Sequence, residues 1–313
     1  MLLAILGVAA GLTLLAYASD QFVVGAARIA TSLRLSAVII GAVVIGVGTS
    51  APELLVSVLA AAQGSLDIAV GNIVGSNVAN LSLVLGVAAI LTPIAVHGGV
   101  LRREAPIALG AVILLGILLQ RGFGTIEGIV LLVALVLALL LVLRSARGGD
   151  PELEAEVVEF LSEGPPATRR EALRTALGLL GTLGAAQLLV VSAVTIAREA
   201  GLAEGFVGLT IVAIGTSLPE LATSVQAARK GEIDLIVGNL LGSNLFNSTA
   251  VAGAVALVGP GTIQDPKLTG LAVALMIGTS ALATLLMVTE RTVVRWEGVV
   301  LLVGYLAVLP LLA

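Results

Sequence analysis

The sequence predicts an all-α polytopic membrane protein: ten transmembrane helices arranged as two inverted five-helix repeats. Three observations carry that fold class. The first is composition. Of 313 residues, 58% are apolar and only 12% charged, and mean hydropathy is +1.14. Soluble domains carry about 25% charged residues, so a water-soluble fold of this size could not hide so much apolar surface. The second is a series of ten apolar runs, each near the length that crosses a bilayer. The third is a long internal repeat.

The runs are taken in order along the chain. Run 2–19 begins Met-Leu-Leu with no basic residue ahead of it, so it reads as a retained helix rather than a cleaved leader. Runs 36–62 and 67–92 carry the first copy of the repeat, and runs 104–119 and 125–143 complete the first half, residues 1–143. Residues 144–170 form the one long hydrophilic segment. With Glu152, Glu154, Glu156, Glu159 and the Pro165-Pro166 pair, it reads as a solvated linker. The second half, 171–313, holds runs 171–197, 205–228, 233–258, 268–289 and 296–313. Runs 205–228 and 233–258 carry the second copy.

Residues 41–86 align with 208–253 at a constant offset of 167, without a gap and with 22 of 46 positions identical. GTSAPELLVS at 48–57 answers GTSLPELATS at 215–224, and GNIVGSNVAN at 71–80 answers GNLLGSNLFN at 238–247. Five spans per half is an odd number, so the two copies should face opposite ways across the membrane. That is the plan of secondary transporters, whose site lies at the repeat interface. With ten spans, 13 of the 16 basic residues fall in the loops on one side. The positive-inside rule then places both termini outside and the 144–170 linker in the cytoplasm.

Glu53 and Glu220 are the only acidic residues placed deep within runs, and no Lys or Arg lies there with them. Each costs about 2.5–3.5 kcal/mol at the bilayer centre on insertion scales. Two carboxylates at equivalent positions of inverted halves converge, and a bound cation or protons must neutralise them. Thr49, Glu53 and Ser57 share a helix face, as do Thr216, Glu220 and Ser224. Pro52 and Pro219 lack an N–H, which frees the carbonyls of Gly48 and Gly215. Asn72, Ser76 and Asn80, and likewise Asn239, Ser243 and Asn247, form neutral polar stripes. Asn72, Asn77, Asn239 and Asn244 are equally explained by interhelix hydrogen bonds. Gly71, Gly75, Gly238 and Gly242 suit close helix approach. Asp67 and Asp234 read as N-caps or mouth residues.

Every candidate ligand is an oxygen, a set that favours hard cations and, in a dry cage, Ca²⁺ and Na⁺ over Mg²⁺. One site loaded alternately by the two ions is the logic of an antiporter. With no cysteine and a single histidine, His97, thiolate chemistry and His-rich metal sites are excluded. No hydrolase or metalloprotease motif is present, so no enzyme and no resident cofactor is expected. Net charge is −4 without a basic groove, so no nucleic acid is expected either.

The paired GTS-x-PE and GN-x-x-GSN-x-x-N blocks resemble the two repeats of the cation/Ca²⁺ antiporter superfamily, in particular the prokaryotic sodium/calcium exchangers. The likeness covers the whole chain, including SDQFVVGAARIA at 19–30. It implies Na⁺/Ca²⁺ exchange across the plasma membrane by alternating access, in a lipid-embedded monomer, with H⁺/Ca²⁺ exchange as the alternative. It implies a core of spans 2, 3, 7 and 8 and a Ca²⁺ site of Glu53, Glu220 and the backbone carbonyls of Thr49 and Thr216. One flanking Na⁺ site would use Gly46, Ser50, Glu53, Ser217 and Ser243; the other Ser76, Ala213, Ser217, Glu220 and Ser50. Asn80 and Asn247 would share a middle position, and spans 1 and 6 would be sliding gating helices. Several relatives carry Asp at the position of Asn247; its absence here removes a third titratable carboxylate.

Overall fold

The computed structural model describes residues 1–32, 50–96, 98–145, 168–230, 233–289 and 291–312. It is almost entirely helical. In chain order the helices are α1 (Leu2–Ser32), α2 (Ala51–Ala62), α3 (Leu66–Leu91), α4 (Gly98–Arg102), α5 (Glu104–Leu119), α6 (Thr125–Ser145), α7 (Thr168–Ala200), α8 (Glu204–Thr216), α9 (Leu218–Lys230), α10 (233–258), α11 (Leu268–Thr289) and α12 (Arg295–Leu312). Among the described residues, six helical stretches are long and apolar enough to cross a membrane: Leu2–Ala26, Leu66–Leu91, Arg169–Ala200, Ile236–Val258, Leu268–Thr289 and Arg295–Leu312. The bent pair α8–α9 makes a seventh. The protein is a multi-pass membrane protein.

Helix boundaries follow the apolar runs closely at α5, α10 and α11. The stretch 36–49 of the second run, most of the linker and His97 lie outside the described residues. The first run differs. It was expected to stop at residue 19, yet α1 continues through Asp20 and Gln21 to Ser32. Tertiary partners explain this. Gln21 Oε1 accepts from Arg174 Nε at 2.8 Å, and Arg28 pairs with Glu171 at 3.1 Å, both on α7. At the other end of α1 the N-terminal amine pairs with Glu199.

α1 and α7 lie antiparallel along their whole lengths, about 46–50 Å at 1.5 Å per residue. Small residues let the backbones touch. A Cβ on Gly11 would meet Leu189 N at 3.1 Å, and one on Gly178 would meet Phe22 N at 2.5 Å. The outer faces of the pair are apolar and open to lipid, with Leu3, Leu14, Leu177 and Leu180 exposed.

α3 is the central helix. Every residue from Leu66 to Ala79 is buried, Asp67, Asn72, Ser76 and Asn77 included. It packs backbone to backbone on α8. A Cβ on Gly71 would sit 2.5 Å from Gly205 O, and one on Gly208 2.5 Å from Ile68 O. Further along, Gly86 of α3 meets Gly298 of α12, while Gly253 of α10 meets Gly128 of α6.

A small ladder departs from the purely helical expectation. Strands β1 (Ile94–Ala95) and β2 (Thr292–Val293) pair antiparallel, Ile94 opposite Val293. It joins the loops after α3 and α11. Ile94 and Val293, both fully buried, are β-branched residues suited to extended backbone.

Candidate cation-binding site

Two equivalent serines with non-helical backbone build the site. Ser50 (φ −91°, ψ 11°) and Ser217 (φ −84°, ψ 4°) hold the same sparsely populated backbone conformation, a region where active-site residues recur. Each stands two residues before a proline, which disfavours helix in the residue between and removes one ladder N–H. The helix that follows each serine starts identically: Leu54 N–H donates to Ser50 O, and Leu221 N–H to Ser217 O, each at 3.1 Å. The α8–α9 axis bends by 41° at the break. The helix starts after Ser50 and Ser217 thus deliver Glu53 and Glu220 one residue after Pro52 and Pro219.

Two further irregularities match at the same offset. Asn80–Val84 within α3 and Asn247–Val251 within α10 are π-helical. Such bulges widen a helix locally and are frequent at functional sites. Each begins on one of the candidate asparagines.

The structure brings the described candidates together in the interior, where α2, α3, α8–α9 and α10 converge. Ser50, Glu53, Ser76, Asn80, Ala213, Thr216, Glu220 and Asn247 are fully buried, and Ser217 and Ser243 are 1% exposed. Contacts cross between the halves. Ser50 Oγ donates to Ser243 Oγ at 3.2 Å. Thr216 Oγ1 donates to Asn72 Oδ1 at 3.1 Å and lies 3.4 Å from Ser76 Oγ. Asn72 Nδ2 in turn donates to Ser57 Oγ at 2.9 Å. The Thr216 and Ser217 hydroxyls lie near the Glu53 carboxylate, and Glu220 is close enough to Glu53 for their charges to interact. The Ala213 carbonyl accepts from Ser217 N–H at 3.1 Å and from Thr216 Oγ1 at 3.3 Å. Gly46 and Thr49 lie outside the described residues.

All four carboxylate oxygens of Glu53 and Glu220 lack a hydrogen-bond partner among the described residues. So do the Ser217 and Ser224 hydroxyls and the side-chain oxygens of Asn80 and Asn247. Buried polar atoms are nearly always paired, and an unpaired buried carboxylate is costlier still. A concentration of unpaired oxygens, with no basic side chain forming a salt bridge to either glutamate among the described residues, is the environment a hard cation completes. Among those residues no group of three or more His, Cys, Asp or Glu side chains is placed to hold a metal ion; the other oxygens around the two glutamates belong to hydroxyls and amides.

Asp67 is buried and holds a loop: its two oxygens accept from Gln264 N–H at 2.9 Å and Asp265 N–H at 2.8 Å. It lines a cavity of about 690 Å³ together with Gly64, Glu204, Gly259 and Asp265. Asp67 thus ties the 264–265 loop to the start of α3, while Ser65 stands at the N-cap position. Gly71 and Gly75 make the close approach expected of them. Gly238 and Gly242 meet no described atom within 4 Å, and the side chain of Asp234 lies outside the described residues. Asn77 and Asn244 make the interhelix hydrogen bonds that the sequence allowed them: Asn244 Nδ2 donates to the Asn77 carbonyl at 3.0 Å, and Asn77 Oδ1 accepts from Ser248 Oγ at 3.2 Å.

The sodium/calcium exchanger protein family matches residues 3–144 and 172–312 of this chain. The putative antiporter CaxA of Alkalimonas amylolytica is 41% identical over 98% of this chain and 97% of its own. The sodium/calcium exchanger MaX1 of Methanosarcina acetivorans is 30% identical, with 96% of each chain covered. A solved structure of the sodium-calcium exchanger NCX_Mj, soaked with Na⁺ and Sr²⁺, superposes with a TM-score of 0.67 at 31% identity, covering 99% of this chain and 98% of that one. With matched positions across both halves and relatives alike over nearly the full length, this chain belongs to the sodium/calcium exchanger family of cation/Ca²⁺ antiporters.

Proposed function

We propose that the protein exchanges Na⁺ for Ca²⁺ across the plasma membrane by alternating access, both ions using the site at Glu53 and Glu220. The observation that carries this reading is the set of unpaired buried carboxylate oxygens from both halves. Two carboxylates balance one Ca²⁺ or two Na⁺. Glu53, Glu220 and the Thr49 and Thr216 carbonyls would hold Ca²⁺. Gly46, Ser50, Glu53, Ser217 and Ser243 would hold one Na⁺, and Ser76, Ala213, Ser217, Glu220 and Ser50 another. Asn80 and Asn247 would offer neutral oxygens between them. Relatives named as sodium/calcium exchangers support the choice of ions. The cross-half hydroxyl pairs Ser50–Ser243 and Ser76–Thr216 favour Na⁺ over protons as the driving ion, because protonation needs no hydroxyl ligands.

The ten-span inverted arrangement is part of the same proposal. α1 and α7 are equivalent under the offset and run antiparallel, with Gly11 on Leu189 reciprocated by Gly178 on Phe22. Loops expected outside cluster together: residues 64, 203–204, 259–262 and 264–266 line one cavity, and Phe123 bridges Gly261. Loops expected inside do likewise, through the β1–β2 ladder, Thr92 on Ala228, and Arg28 on Glu171. With both termini outside and the 144–170 linker cytoplasmic, the α1–α7 pair would slide as one unit to open the site to either side.

The test is ⁴⁵Ca²⁺ uptake into proteoliposomes loaded with Na⁺, compared with vesicles bearing only a pH gradient. Uptake driven by the Na⁺ gradient alone is expected. Uptake driven by the pH gradient and indifferent to Na⁺ would make the protein a proton-coupled Ca²⁺ exchanger.

A further inference from the structure

The polar cluster between α3 and α10 has a direction. Asn244 Nδ2 donates to the backbone carbonyl of Asn77 at 3.0 Å. A carbonyl oxygen only accepts, so the Asn244 amide cannot be turned over. Its Oδ1 is therefore presented to Asn80, whose Nδ2 donates to it at 3.0 Å. That bond fixes Asn80 in turn. Its Oδ1 is turned away from Asn244, fully buried and without a partner among the described residues. One backbone carbonyl thus dictates, through one intervening amide, which end of Asn80 is held and which is free.

Among the described residues the second half has no twin of this relay. The acceptor equivalent to Asn244 Oδ1 is Asn77 Oδ1. Asn77 is itself oriented by donating Nδ2 to Ile73 O at 2.8 Å, and its Oδ1 accepts from Ser248 Oγ at 3.2 Å. Ser248 stands where the first half has Leu81. Neither amide atom of Asn247 has a partner among the described residues.

We propose that Asn244 is a positioning residue for cation binding. It holds Asn80 with the amide oxygen toward the ion, whereas Asn247 is free to present either end. The inference rests on the placement of Asn80 in the cation site proposed above. An amide already oriented needs no ordering on binding. A reversed one would turn its positive NH₂ end toward the cation. The near-symmetric site is therefore functionally asymmetric: one amide is preset and its equivalent adjustable.

The test is equilibrium ⁴⁵Ca²⁺ binding to the purified full chain carrying Asn80→Leu, Asn244→Leu or both, with Tm and monodispersity recorded in parallel. Asn80→Leu and Asn244→Leu should each weaken apparent Ca²⁺ affinity by about tenfold. The double variant should bind no more weakly than Asn80→Leu alone, because Asn244 acts through Asn80. If Asn244→Leu does not fold, the same cycle is run with Asn244→Ser, whose shorter side chain cannot bridge both partners. A folded Asn244 variant with unchanged affinity beside a weakened Asn80→Leu overturns the inference, as do independent losses that multiply in the double variant. Unchanged affinity in Asn80→Leu itself would instead remove Asn80 from the site, and the functional assignment of that residue would fall with the inference.

Discussion

Gly75→Ala is the most informative single methyl that can be added to this protein. A Cβ at Gly75 would lie 2.4 Å from Leu209 O and 2.6 Å from Ala213 Cβ. Ordinary contact begins at 3.4 Å, so α3 and α8 must part by about 1 Å, and neither obstacle is the flexible end of a long side chain. Overpacking of this kind costs about 1–3 kcal/mol. The damage reaches the site because the next residue, Ser76, lies 3.4 Å from Thr216 Oγ1, and Asn72 holds Thr216 at 3.1 Å. Adding about 1 Å stretches both beyond hydrogen-bond reach. Reconstituted Gly75→Ala should show Na⁺-driven Ca²⁺ uptake reduced at least about tenfold, with apparent Ca²⁺ affinity weakened rather than only turnover slowed. Gly110→Ala on α5, with no described atom within 4 Å of the added carbon, should behave as wild type. Wild-type Ca²⁺ affinity in Gly75→Ala would refute the claim that the α3–α8 seam sets the ligand spacing.

Arg28→Met leaves Glu171, 2% exposed, without its 3.1 Å partner. Stability should fall toward the lower end of about 3–5 kcal/mol, because Arg174 remains 3.8 Å away; adding Glu171→Gln should recover part of the loss in Tm. Transport in the Na⁺ mode should carry net charge whenever more than two Na⁺ replace one Ca²⁺, at about 2.3 kcal/mol per charge per 100 mV. Clamping the vesicle potential with valinomycin and K⁺ should then change the rate, and a voltage-independent rate would mean electroneutral exchange. Asn247→Asp adds a third carboxylate to the site. Its titration couples to those of Glu53 and Glu220, so Ca²⁺ flux between about pH 6 and 9 should vary more steeply with pH than in wild type; superimposable profiles would place Asn247 outside the shared cavity.

The repeat made most of the site legible in advance. Identical blocks 167 residues apart placed Glu53 and Glu220 at matching depths, and the lack of Lys or Arg in those runs left them without a protein counter-charge. Pro52 and Pro219 flagged the irregular backbone at Ser50 and Ser217. Other features depend on partners far along the chain. Asp20 and Gln21 resemble a helix end by sequence alone; the helix continues because Arg174 meets Gln21 and Glu171 meets Arg28. The glycine pattern GNIVG announced close approach at Gly71 and Gly75 but could not name Gly205 and Leu209 as the backbone they meet. The π-helical turns at Asn80 and Asn247 have no local composition signal. Nor does the exchange of Leu81 for Ser248 show its consequence until Asn77 is seen to accept from that serine.

The central claim is that Glu53 and Glu220 together form one cation site. Equilibrium ⁴⁵Ca²⁺ binding to monodisperse Glu53→Gln and Glu220→Gln variants tests it most directly. Each substitution keeps the side-chain volume and removes one of the two charges that balance Ca²⁺. High-affinity binding and Na⁺-driven uptake should be lost in both variants while the fold persists. Near wild-type Ca²⁺ binding in either one, correctly folded, would contradict the account and place the site elsewhere.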